Sequence, residues 1–253
     1  MLTFSLQSGS CGNAIYVEAG DTRLLFDAGI SAKRIAERLA QHGRNAADCD
    51  ALIISHEHSD HVSGVGPVHR KFNIPVYATD RTMRAARAKV GKLHRVHRFE
   101  RGSSFTIGDA TIHAIPTPHD AADGSCFIVE HNGKRLGIFT DLGHPFAALA
   151  DALASVDAAY LESNYDDDML WNGPYPQFLK QRIAGDNGHL SNDDAAGFNA
   201  RHGQRLQWLA LAHLSEHNNA PEIALDTHRR VIGKSLHCVA CSRTTVGNVL
   251  EVA

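Results

Sequence analysis

The chain opens on three short apolar runs, 2–7, 13–18 and 22–27, parted by the glycine turns SGSCG and AGD. Runs of this length bounded by turn residues predict β-strands. Ser31 then precedes a stretch in which Ile35, Ala36 and Leu39 share one face, which predicts an amphipathic helix. The run ALII at 51–54 predicts a buried strand that ends in a polar loop. Further strands are expected at 75–78, 104–107, 110–115, 125–130, 135–140, 157–161, 206–212 and 236–240. Helices are expected near 64–72, 80–89, 145–153, 175–184, 192–202 and 221–232. Strand blocks punctuated by helices predict an α/β fold with helices outside a pair of sheets. No repeat, low-complexity tract or long linker interrupts residues 1–253, so a single domain is expected.

Composition narrows the classes. With 43% hydrophobic and 21% charged residues, the chain is globular rather than disordered. No apolar run approaches the roughly 18–20 residues of a membrane span. The start, MLTFSLQSGSCGN, lacks the basic and apolar regions of a secretory signal. Five cysteines (Cys11, Cys49, Cys126, Cys238, Cys241) are an odd number, so a cytoplasmic setting without a complete disulfide framework is expected. Cys238 and Cys241 form a lone CxxC in an apolar strand, which reads as buried thiols rather than half of a zinc site.

The net charge of -3 argues against a histone-like coat for nucleic acid. Its distribution is uneven. Residues 68–101 hold ten Lys and Arg against only Asp80 and Glu100. That segment is compatible with a solvated helix face and hairpin, or with a footprint for a phosphate backbone.

Seventeen histidines point to metal or acid–base chemistry. The dense string is Ser55-His56-Glu57-His58-Ser59-Asp60-His61, directly after an apolar strand. HExxH spacing on a helix fails, because Asp stands at position 60. On a loop, neighbouring side chains can diverge toward two ions, with His56 and His58 serving one and Asp60 and His61 the other.

This string resembles the HxHxDH signature of the metallo-β-lactamase superfamily. Asp27 in LLFDAG, His119 in PTPHDAADGS, Asp141 in GIFTDLGH and His213 in LALAHLSEHNN are similar, in order, to its other motifs. His113, His144 and His217 are the competing histidines nearby. The resemblance implies a four-layer αβ/βα sandwich with the site at its rim. It implies that His56, His58 and His119 bind one metal and that Asp60, His61 and His213 bind the other. Asp141 would bridge them, and Asp27 would support the ligands from behind. This all-N/O set suits two divalent ions, zinc or manganese. Ions about 3.5–4 Å apart can hold a bridging hydroxide as nucleophile.

Two further strings bear on the substrate. In GHLSNDD, Ser191 and Asp194 form a capping pattern, so His189 stands just before a helix N-terminus, a natural place for phosphate. In LESNYD, Glu162 ends a strand. GHLSN resembles a segment of the superfamily's tRNA 3′-processing endonucleases. That implies a proton donor at His189 oriented by Glu162, with Asp60, His189 and Glu162 as the catalytic residues. The strings SLQSGSCGNAIYVE, SHEHSDHVSGVG, ESNYD, PYPQFLKQRI and HLSEHNNAPEIA are similar to the YycJ/WalJ-like branch. This resemblance implies a 5′-to-3′ exonuclease with DNA rather than RNA as substrate and no membrane partner. A small or cyclic phosphodiesterase is the alternative, followed by a glyoxalase-type thioesterase and a non-enzymatic binding module.

Overall fold

The computed structural model describes residues 1–253. One seven-stranded sheet contains β1 (Leu2–Gln7), β2 (Ala14–Ala19), β3 (Thr22–Phe26), β4 (Ala51–Ile53), β5 (Val76–Ala78) and β6 (Val96–Arg98), with the last strand, β14 (Leu250–Glu251), beside β1. The other contains β7 (Ser104–Ile107), β8 (Ala110–Pro116), β9 (Ser125–His131), β10 (Lys134–Phe139), β11 (Ala158–Glu162), β12 (Trp208–Ala212) and β13 (His237–Ala240). Hairpins join the antiparallel strands that are consecutive in the chain, and helices carry the parallel crossovers.

The layers follow from side-chain alternation. Ala110, Ile112 and Ala114 of β8 face inward, and the residues between them are less buried. A central core joins the sheets face to face, with Val17, Leu24 and Phe26 against Phe127, Val129 and Tyr160. A second core packs α1 (Ala32–Gln41), α3 (Val65–Phe72) and α4 (Asp80–Val90) on the first sheet. A third packs α5 (Ala147–Ser155), α8 (Asn192–His202) and α9 (Pro221–Ile232) on the second. The result is the expected αβ/βα sandwich. No helix is long and apolar enough to cross a membrane.

Ser31 caps α1 and Ser191 caps α8, each accepting a backbone N–H three residues on. The structure also adds elements that hydrophobic pattern does not announce. Residues 59–62 of the expected polar loop form a helical turn, α2 (Ser59–Val62). In 68–101 the helix expected at 80–89 is present as α4, but it leads into the parallel edge strand β6 and not into a hairpin. Two helices, α6 (Asp167–Asn172) and α7 (Gln177–Ile183), separate β11 from α8, where one helix is expected. These elements are short, and tertiary contacts rather than periodicity decide them.

The register of β1 shifts between Ser5 and Gln7. Buried Arg38 of α1 holds this irregularity, donating to Leu6 O at 2.9 Å and also bonding Gln7 and Thr244. Beyond it, Ser8 accepts the backbone N–H of His213 at 2.8 Å. A strand irregularity is thereby tied to the rim. Arg38→Met leaves these acceptors unpaired and should cost about 2–3 kcal/mol in urea unfolding. An unchanged midpoint would show that the bulge is held by other means.

Candidate metal centre

The parallel strands end at one rim. Asp27 follows β3, His56 and His58 follow β4, His119 follows β8, Asp141 follows β10, Glu162 ends β11 and His213 follows β12. Asp60 and His61 lie on α2, not on an open loop. That turn is fixed by backbone bonds to the loops before β2 and after β3: Asn13 N to Asp60 O at 2.7 Å, Ala28 N to His61 O at 2.9 Å and Gly64 N to Ala28 O at 2.7 Å. Gly29 makes the approach possible, since a Cβ there would stand 1.6 Å from Asp60 O.

Two sets of side chains converge. The ligand atoms of His56, His58 and His119 lie within 4.8 Å of one another, as do those of Asp60, His61 and His213. Asp141 stands between the sets. Its Oδ2 is 3.2 Å from His61 Nε2, and its Oδ1 is 3.5 Å from His213 Nε2 and 3.7 Å from His119 Nε2. Asp60 Oδ2 is 3.4 Å from His61 Nε2 and 3.3 Å from His213 Nε2. Donors about 2.0–2.1 Å from one ion at tetrahedral angles are roughly 3.4 Å apart, so these spacings suit edges of a coordination shell. His56 Nε2 and Asp141 Oδ2 are buried without a partner, as ligand atoms facing a cation would be.

The other imidazole nitrogens are engaged. His61 Nδ1 donates to Asp27 Oδ2 at 2.7 Å, and His119 Nδ1 donates to Gly188 O at 2.9 Å. Each bond sets the tautomer whose Nε2 carries no proton, the form that ligates a metal. Asp27 also accepts Ser55 N at 2.8 Å and Ser55 Oγ at 2.7 Å, and the same hydroxyl lies 2.9 Å from His56 Nδ1. Asp27 therefore stands outside both groups but bonds His61 directly and reaches His56 through Ser55.

The electrostatics favour a cation. Burial pushes His213 down, but Asp141, Asp60 and Glu162 carry it up to about 10. Burial likewise opposes the charge on His61, yet Asp141, Asp60 and Asp27 raise it well above the ordinary range. A field that favours a proton here also favours a divalent ion.

Glu162 is fully buried. Its Oε1 lies 2.7 Å from His189 Nδ1 and 3.4 Å from His213 Nδ1, while Oε2 accepts Leu142 N and Leu190 N. Burial alone would raise its carboxyl, but His189 and His213 hold it at about 2. Asp141, Glu162, His189 and His213 also form a compact group. The 2.7 Å contact is a hydrogen bond, however, so a proton and not an ion lies between His189 and Glu162.

The competing histidines point elsewhere. His113 bonds Ser104 and Glu130, His144 bonds Asp186 O, and His217 packs on Tyr175. Sequence reasoning missed Asn13, whose amide reaches Asp60 and His61, and Asn164, which donates to His213 O at 2.7 Å. It also missed Asp120, 3.4 Å from His119 Nε2. Lone Asn and Asp residues in polar loops give no periodic or spacing signal.

A cleft of about 350 Å³ opens over the cluster, lined by His58, Asp60, His119, Asp141, His189 and His213 among others. Of the ten cations in 68–101, Lys89 lines it. Arg70, Arg95, Arg98 and Arg101 bond carbonyls or acids away from the cleft. The second cation at the cleft is Arg182 of α7, from outside the basic segment. No disulfide forms; Cys241 is buried and its thiol is pushed up to about 12 by that burial.

The profile of a beta-lactamase superfamily domain matches residues 22–210. A Streptococcus pneumoniae protein named exodeoxyribonuclease WalJ is 39% identical over 224 residues, covering 87% of this chain and 83% of its own. A Bacillus anthracis protein named exodeoxyribonuclease YycJ is 36% identical over 222 residues, covering 87% and 84%. The chain belongs to the metallo-β-lactamase superfamily, in its YycJ/WalJ-like branch. The metallo-β-lactamase fold protein YhfI of Bacillus subtilis superposes with a TM-score of 0.77 over 99% of both chains at 18% identity, a likeness of fold. In this metallo-β-lactamase fold the His and Asp clusters at the rim are able to bind metal.

Asp27→Asn removes one negative charge from behind His61 and turns an acceptor into a donor. Divalent-ion affinity measured by calorimetry should fall roughly 10–100-fold. Unchanged affinity would show that Asp27 does not orient the cluster.

Proposed function

We propose that this chain is a metal-dependent exodeoxyribonuclease that hydrolyses phosphodiester bonds in the 5′-to-3′ direction. The names of its relatives at 36–39% identity support DNA as the substrate class. The observation that carries the reading is the pairing of buried Glu162 with half-buried His189 at the mouth of the cluster, 2.7 Å apart. A thioester hydrolase has no need of it, whereas an alkoxide leaving group requires a proton.

His56, His58 and His119 would hold one ion, Asp60, His61 and His213 a second, and Asp141 would serve both. Zinc or manganese bound there would supply the Lewis acidity that acidifies water and neutralises phosphate oxygens. The remaining work belongs to the chain. Glu162 fixes His189 through Nδ1, leaving Nε2 to give a proton to the departing 3′ oxygen. Lys89, whose ammonium also donates to Glu57 O at 2.9 Å, and Arg182 stand at the cleft to hold flanking phosphates. Five free thiols suit a reducing, cytoplasmic compartment.

Incubating the metal-loaded protein with end-labelled DNA, RNA, a cyclic nucleotide and a thioester tests this directly. Shortening of DNA from its 5′ end is expected; turnover of the cyclic nucleotide or thioester alone would contradict it. His189→Ala should slow DNA cleavage by roughly 10²–10⁴ with metal content intact. A normal rate on an unactivated phosphodiester would remove its role as proton donor.

A further inference from the structure

The helix that brings Arg182 to the cleft also carries Phe178, which is 72% exposed. The other exposed large apolar residues range from 36% to 43%. Phe178 is thus the one large apolar side chain given over mostly to water. Its place is specific. Phe178 and Arg182 are four residues apart on α7, so they share a face at roughly 5–6 Å between Cβ atoms.

The helix beneath them is anchored. Lys180 is buried and donates to Trp171 O at 2.7 Å, which ties α7 to α6. Arg182 donates to Asp120 through Nε at 2.8 Å, with its Nη2 at 2.7 Å from the same oxygen. Asp120 in turn lies 3.4 Å from His119 Nε2. At the far end, Ile183 O accepts the backbone N–H of His189 at 2.9 Å. One short helix therefore fixes an aromatic face, a guanidinium at the cleft and the backbone of the proposed proton donor in a single frame.

We propose that α7 is a stacking platform for an unpaired base of the substrate strand. Phe178 takes the base face and Arg182 takes the adjoining phosphate with the guanidinium N–H groups that Asp120 leaves free. This inference rests on the nuclease reading above and deepens it. A base inside a duplex has both faces covered by its neighbours, so an aromatic surface of this kind selects single-stranded DNA. Stacking is indifferent to base identity, which suits an enzyme that removes nucleotides one after another. The positive charge of Arg182 and Lys89 at the cleft complements a nucleic-acid strand and disfavours an apolar protein surface as the occupant.

The test uses the metal-loaded protein and 3′-fluorescein oligonucleotides with phosphorothioate links, which are cut slowly. Anisotropy titrations compare single strand and duplex for the unmodified chain, Phe178→Ala and Phe178→Trp. Phe178→Ala should weaken single-strand binding roughly 5- to 150-fold and duplex binding far less. Phe178→Trp should restore it. A 2-aminopurine placed near the 5′ end should lose fluorescence on binding to the unmodified chain and lose less on binding to Phe178→Ala. Unchanged single-strand affinity in Phe178→Ala, or equal losses for both DNA forms, overturns the platform. Cleavage of unmodified DNA is measured alongside. Absence of cleavage overturns the nuclease reading and this inference with it. Cleavage together with unchanged Phe178→Ala affinity overturns the platform alone.

Discussion

The rim is governed by the cost of gathering four carboxylates, Asp27, Asp60, Asp141 and Glu162, in a largely buried space. Negative charge in such a place must be met by donors or cations. Two of the four are met by donors from the fold itself. Asp27 takes the backbone N–H and hydroxyl of Ser55, and Glu162 takes the backbone N–H groups of Leu142 and Leu190. Asp60 and Asp141 are met mainly by imidazoles, with Asn13 reaching Asp60 at 3.3 Å. This asymmetry divides the roles. Asp27 and Glu162 position histidines, while Asp60 and Asp141 are left with charge to offer a cation.

The backbone accepts strain to create this arrangement. Asp27, Asp141 and His213 all have φ near the left-handed region, at 58°, 57° and 55°. Asp and His are among the few non-glycine residues that enter this region readily. Each follows the C-terminal end of a strand, and each turns its side chain from the sheet direction toward the rim. Such conformations persist only where surrounding contacts over-determine them. The bonds from His213 N to Ser8 Oγ and from Asn164 to His213 O perform that task at one of the three.

Much of this was legible in the sequence because the informative features are local. Alternating and continuous apolar runs located most of the strands, and ligand density in 56–61 located the centre. The order of Asp27, His119, Asp141 and His213 could be read only through resemblance, since nothing local separates His119 from His113. Three features lay beyond sequence. The turn α2 is held by backbone bonds to two loops more than thirty residues earlier, which no pattern encodes. Asn13 and Asn164 act through single hydrogen bonds. The basic segment could be read either as a solvated face or as a phosphate footprint; of it only Lys89 lines the cleft, and the second cation came from a helix whose charge was unremarkable. Charge runs record composition along the chain, whereas the cleft samples whichever helix ends the fold brings to it.

On the proposed function, two cations share Asp141 at the rim. Anomalous diffraction from crystals of the metal-loaded protein tests it most directly. Two peaks are expected, one within about 2.0–2.3 Å of His56, His58 and His119 and the other within that distance of Asp60, His61 and His213, with Asp141 touching both. A single peak, or an ion seated between Glu162 and His189, would contradict it.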